Sequence, residues 1–139
     1  MGYEPIEHTA DLGLRVWGST LAELFTEAAA GMCELMWDRA RVRPERRRRL
    51  EVEADDLEGL LVGWLSEINF QHVTNEEVYA RAVVQQLDVE RCRLVGELAG
   101  EPIDPSRHRI HTEIKAVTYH DLAIERTDDG YEARIVFDV

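Results

Sequence analysis

Residues 12–37, LGLRVWGSTLAELFTEAAAGMCELMW, change period part-way along, and that change decides the fold. Leu12, Leu14 and Val16 alternate with Gly13, Arg15 and Trp17, the two-residue period of a half-buried strand. From Leu21 onward the apolar positions Leu24, Phe25, Ala28, Ala29, Met32, Leu35 and Met36 recur at steps of three and four, which predicts a helix to about Trp37. Thr20 and Glu23 form a capping box at its start. The Met and aromatic stripe at this spacing reads as a core face rather than a cofactor groove.

Working outward, YEPIEH (3–8) reads as a short preceding strand. Beyond the helix, Leu50 and Val52 alternate with charged residues as a further strand. Asp55 with Glu58 then caps a second helix carrying Leu57, Leu60, Leu61, Trp64, Leu65 and Ile68. From Glu77 the text is strand-like: VYARAVVQQLDVE, CRLVGEL, a Gly/Pro-containing loop AGEPIDPSR, then HTEIKAVTYH, LAIERT and YEARIVFD, with Asp129-Gly130 marking a hairpin. No repeat or linker divides residues 1–139, so a single domain is expected. The predicted class is α+β, a two-layer sandwich with two helices packed on a mostly antiparallel or mixed sheet.

Among 139 residues, 28 acidic against 16 basic side chains give a net charge of -12, which argues against a general or high-affinity nucleic-acid binder. The balance is uneven, because residues 39–49 hold seven arginines. Pro44 followed by RRRRLEVEA reads as a loop entering a solvated edge strand, with a phosphate-binding patch as the alternative. No apolar run approaches the ~20 residues that span a bilayer, and the N-terminus lacks signal-peptide features, so a cytoplasmic protein is expected. Cys33 and Cys92 lie beside apolar residues and read as buried thiols rather than a disulfide or a zinc site.

Standard catalytic motifs are missing, and a non-enzyme is expected. What remains are three polar clusters: His8-Thr9-Ala10-Asp11, Lys115 to Asp121 (KAVTYHD), and Phe137-Asp138-Val139. Asp11 is a turn residue or a ligand. Asp138 beside the terminal carboxylate invites a hard cation such as Ca²⁺ or Mg²⁺, to which a distant Asp would add oxygen ligands. His108 and His111, three apart on an extended segment, face opposite sides and make a poor transition-metal pair. Lys115 is the single lysine in a chain that otherwise uses Arg, and among Ile114, Ala116 and Val117 it is expected to be partly desolvated unless an acidic partner is near, for which Asp11 or Asp138 would serve.

HTADLGLRVWGSTLAELF (8–25), IKAVTYHDLAI (114–124) and the terminal IVFDV (135–139) together resemble the archease family across essentially the whole chain. The resemblance implies a two-layer α/β protein that activates the RtcB-type tRNA-splicing RNA ligase by promoting its guanylylation and turnover. It also implies a divalent-cation site, most often calcium, falling on Asp11, Asp138 and Val139. Lys115 matches the lysine of the family's activating stretch, and His120 and His8 join it as candidate functional residues. A small metal-dependent phosphohydrolase using Asp11, Asp138, His120 and Lys115, and a chaperone-like binding module, are the rival readings. The first would turn over substrate without a partner, and the second would tolerate loss of those four residues.

Overall fold

The computed structural model describes residues 1–7 and 12–139. In chain order the elements are β1 (Gly2–Glu7), β2 (Leu12–Gly18), α1 (Leu21–Met36), a 3₁₀ turn (Arg39–Arg41), β3 (Arg46–Glu53), α2 (Leu57–Asn75), β4 (Glu77–Asp88), β5 (Arg93–Pro102), β6 (Ala116–Val117), β7 (Glu125–Thr127) and β8 (Gly130–Asp138). The class is α+β, and every described strand pairing is antiparallel. The strands divide into two sheets, one ordered β1-β2-β8-β6 with β7 also on β8, the other β3-β5-β4. Strand periodicity reports which face is buried but not which strand is the neighbour, so the division was invisible in the sequence.

The β2–α1 stretch forms as its periods dictate. Leu14 and Val16 are buried while Arg15 and Trp17 are half-exposed, the Arg15 guanidinium lying 4.6 Å over the Trp17 ring. Thr20 Oγ1 accepts from Glu23 N at 3.1 Å, and Glu23 Oε2 in turn accepts from Ser19 N at 2.7 Å. This is a capping box closed one residue before the cap. Leu24, Phe25, Ala28, Ala29, Met32 and Met36 are buried, and α1 rests against both sheets.

Asp56, not Asp55, caps α2, its carboxylate accepting from Gly59 N at 2.6 Å. Glu58 is thereby freed to accept from Ile124 N at 3.2 Å, which fastens the late loop to the helix start. Helix α2 is apolar around most of its circumference because it meets α1, the three-stranded sheet and β6. Two buried indoles then lock the layers together: Trp37 Nε1 donates to Tyr79 O at 2.9 Å and Trp64 Nε1 to Phe25 O at 3.0 Å. A buried indole N–H left without an acceptor would cost about 1–3 kcal/mol, so both bonds fix a specific packing.

Three expectations are corrected. HTEIKAVTYH is not a strand along its length; only Ala116–Val117 pairs with β8, because the backbone before it is anchored elsewhere, His111 N on Met36 O at 2.7 Å and Ile114 O on Asn69 Nδ2 at 2.8 Å. LAIERT likewise pairs only at Glu125–Thr127. Cys33 is buried, and burial pushes its thiol up to about 12, but Cys92 is half-exposed at a tight turn with φ 48°.

Gly96 on β5 lies beneath Trp64: a Cβ there would come within 2.4 Å of the indole ring. Gly96→Ala is expected to destabilise the protein by about 1–3 kcal/mol through overpacking, read as a lower urea midpoint with an unchanged slope. A wild-type midpoint would show that Trp64 can shift without cost.

Candidate functional site

Strand β8 runs through the middle of the larger sheet, and its far end carries the site. On one edge Phe137 pairs with Leu12 of β2, and on the other with Val117 of β6, while Ala116 faces Asp138. Phe137 is fully buried, so the alternation of the strand turns the Asp138 side chain out to solvent. Lys115 N donates to Asp138 O at 2.8 Å, which brings two of the predicted residues together through the backbone. Val139 follows, partly exposed.

Beyond β6 the chain turns tightly. Thr118 N and Oγ1 both donate to Val136 O, at 3.0 and 2.9 Å, and Thr118 Oγ1 accepts from His120 N at 3.2 Å. Asp121 adopts a left-handed φ of 52°, and its carboxylate stands 3.2 Å from His120 Nε2 on the exposed surface. His8 and Asp11 lie outside the described residues. Leu12, the residue after Asp11, pairs with Phe137, the residue before Asp138.

Lys115 is exposed, contrary to the desolvated setting expected of it. Ile114 and Val117 take the inward positions, and Lys115 and Ala116 between them face out. Among the described residues no group of three or more His, Cys, Asp or Glu side chains converges on one point. The donors present at the tip, the Asp138 carboxylate and the Val139 oxygens, are hard oxygens of the kind Ca²⁺ takes.

This arrangement sits in a chain whose residues 3–139 match the archease protein family. The chain belongs to the archease family. It is 42% identical to the archease of Methanopyrus kandleri over 140 residues, covering all of both chains, and 38% identical to that of Methanosarcina acetivorans, covering 99% of this chain and 95% of the relative. The solution structure of Methanobacterium thermoautotrophicum protein 1598 superposes with a TM-score of 0.83 at 34% identity, covering 99% of each chain. A crystal structure from Thermotoga maritima, described as an archease and possible chaperone, gives 0.70 at 23% identity over 98% of this chain and 96% of that one, and supports the fold alone.

Two residues that shape this archease tip were not singled out from sequence. Asn69 of α2 holds the Ile114 carbonyl next to Lys115, and its Oδ1 is buried without a partner among the described residues. His72, one turn on and buried against Trp37, donates from Nδ1 to Glu77 O at 2.6 Å, and its Nε2 lies 3.4 Å from Glu113. The available signal was spacing: Asn69 and His72 fall four residues after Leu65 and Ile68, in register with the buried face of α2, where an orphaned acceptor costs about 1–3 kcal/mol.

The Arg-rich segment is the solvated edge strand expected of it: β3 lies at the sheet edge and its arginines are mostly exposed, but two of them, Arg46 and Arg48, turn to one buried carboxylate. Glu77 is buried, and Arg48 meets it with two hydrogen bonds, at 2.6 and 3.0 Å, while Arg46 stands 3.8 Å away. The Arg48 hydrogen bonds, helped by the Tyr79 hydroxyl, hold the Glu77 carboxyl below the usual carboxylate range against the opposing effect of burial. Burial likewise raises Glu101, and donors from Arg43 N, His108 and Arg107 more than offset it, leaving that carboxyl lowered. Both carboxyls bind a proton less readily folded than unfolded. They therefore add stability above the unfolded value of 4.5 that is lost as pH falls through the folded values. Denaturant titrations at stepwise lower pH are expected to show this loss, and Glu77→Gln, less stable at neutral pH by about 1–3 kcal/mol, should lose less across the same range. Parallel acid limbs would show that Glu77 does not contribute.

Proposed function

We propose that this archease-family chain activates an RtcB-type tRNA-splicing RNA ligase, promoting its guanylylation and multiple turnover in tRNA processing, as a cytoplasmic accessory protein rather than an enzyme. The observation that carries the reading is the meeting of Lys115 and Asp138 at the exposed end of β8, joined by the 2.8 Å bond from Lys115 N to Asp138 O. A compact ammonium and a carboxylate presented on a strand end can engage a partner's phosphate and metal chemistry by charge and position. The net charge of -12 suits docking on a basic RNA-handling surface.

A divalent cation, Ca²⁺ in the first instance, is proposed to bind at Asp11, Asp138 and Val139. When bound it would supply positive charge to the tip. The chain's own part is to hold oxygen donors there on a strand pinned along both edges. His120 and His8 are proposed to flank this tip as further contacts to the ligase.

A chaperone-like role is the second reading, favoured by the exposure of Phe70 and Val73, 57% and 59%, on one face of α2. Multiple-turnover RNA ligation by the cognate ligase separates the two. Substoichiometric amounts of this protein are expected to raise the guanylylated fraction of the ligase and its turnovers. Lys115→Arg should reduce that effect by about tenfold or more, the size of one charge-assisted hydrogen bond, while the fold survives. Full activation by both Lys115→Arg and Asp138→Asn would leave the binding-module reading in place, and no activation by the intact protein would end the activator reading.

A further inference from the structure

Seven arginines crowd residues 39–49, and six of them stand within ion-pair distance of a carboxylate: Arg39 with Glu34, Arg43 with Glu45, Arg46 and Arg48 with Glu77, Arg47 with Glu97 and Arg49 with Glu51. Arg41 is the exception among the described residues. Arg81, Arg126 and Arg134 likewise have none among the described residues, so what sets Arg41 apart is the pair of further arginines that share a cavity with it.

Arg41 lines a cavity of 170 Å³ between the end of α1, the 3₁₀ turn and the loop that follows β5. Arg107, Arg109 and His111 line the same cavity over a floor of Trp37 and His108. Arg109, like Arg41, has no carboxylate at ion-pair distance among the described residues. Asp38 also lines the cavity, but its carboxylate is engaged as the cap of the 3₁₀ turn, accepting from Ala40 N at 3.0 Å.

The cavity is built on buried structure. Glu101, 4% exposed, accepts from Arg43 N at 2.8 Å, from His108 Nε2 at 2.9 Å and from the Arg107 guanidinium. His108 Nδ1 accepts from Asp104 N at 2.9 Å, so Nε2 carries the proton that goes to Glu101. Glu101 thus holds both His108 and Arg107 in fixed orientations, while the remaining guanidinium donors of Arg107 are left for the cavity. Donors held this way lose little entropy on binding.

We propose that this cavity is a binding site for a single phosphate group, taken by the guanidiniums of Arg41, Arg107 and Arg109 with His111 beside them. Three guanidiniums offer more donors than the two oxygens of a carboxylate accept, whereas a phosphate monoester presents three terminal oxygens to match them. The volume suits one phosphate and leaves any attached sugar and base outside. Trp37 is only 1% exposed, so no aromatic face is offered for base stacking. The phosphate is therefore inorganic or the terminal group of a larger molecule whose remainder stays outside the cavity. The inference does not depend on the ligase reading, because it concerns binding by this chain alone.

The test is amide-resolved NMR of the full chain, titrated at fixed ionic strength with inorganic phosphate and with a short single-stranded RNA bearing either a 5′-phosphate or a 5′-hydroxyl. Phosphate is expected to shift resonances in residues 37–41 and 107–111. Arg41→Gln and Arg109→Gln should each weaken binding about tenfold, and Arg81→Gln, which removes one exposed charge from β4 outside the cavity, should leave it unchanged. The spectra themselves report whether each variant is folded. Shifts with phosphorylated RNA beyond those given by inorganic phosphate assign the ligand to an RNA end, and equal or smaller ones to a small phosphate. No phosphate-dependent shift in these segments, or equal weakening by Arg81→Gln, overturns the proposal.

Discussion

Strand β8 is the constraint on which the larger sheet depends. One edge is hydrogen-bonded to β2 from Tyr131 to Phe137, and the other is taken first by β7 and then by β6. The strand therefore has no free edge along most of its length, and its apolar residues Ala133, Ile135 and Phe137 close the core beneath α1. The pairings with β2 join residues more than 110 positions apart in sequence, whereas β7 and β8 form a local hairpin. The exposed tip of β8 inherits that rigidity: Asp138 and Lys115 are held by backbone bonds, not by their own side chains.

The smaller sheet is organised around charge rather than around apolar surface alone. Glu77 and Glu101 stand on the two strands whose ends come together beside α1, and each is almost fully buried. An isolated buried carboxylate would be costly, and the arginines of β3 and the loop after β5 remove the cost by supplying directional donors. A planar fork serves this better than an ammonium, which agrees with a chain that uses a single lysine. Within the run of arginines, Arg46, Arg47 and Arg48 are the counter-charge to acidic side chains of neighbouring strands, while most of the run stays exposed.

How far the sequence could be read follows from how local each signal is. The β2 and α1 boundaries and the Thr20–Glu23 cap were legible because alternation, helical spacing and capping act over a few residues. The choice of Asp56 over Asp55 was not, since both carboxylates precede the same apolar run and only the loop at Ile124 recruits Glu58. The division into two sheets, the non-strand course of residues 111–115 and the exposure of Lys115 all depend on partners distant in sequence. At the site, Asp138 stood out as a second carboxylate at the end of the sequence and Lys115 as the single lysine, and their shared backbone bond joins two motifs separated by some twenty residues. The phosphate-sized cavity had no motif, because its arginines come from segments that only the fold brings together.

Residues 107–115 connect that cavity to the tip without forming a regular element. Arg107 and His108 are fixed on Glu101, His111 N on Met36 O, Ile114 O on Asn69 and Lys115 N on Asp138 O, so this irregular segment is fastened in turn to β5, α1, α2 and β8. A segment tied at such short intervals to four elements cannot shift at one end without straining bonds along its length. The proposed anion cavity and the Lys115–Asp138 tip are therefore the two ends of one fastened stretch of backbone, with Asn69 of α2 holding it at Ile114 O.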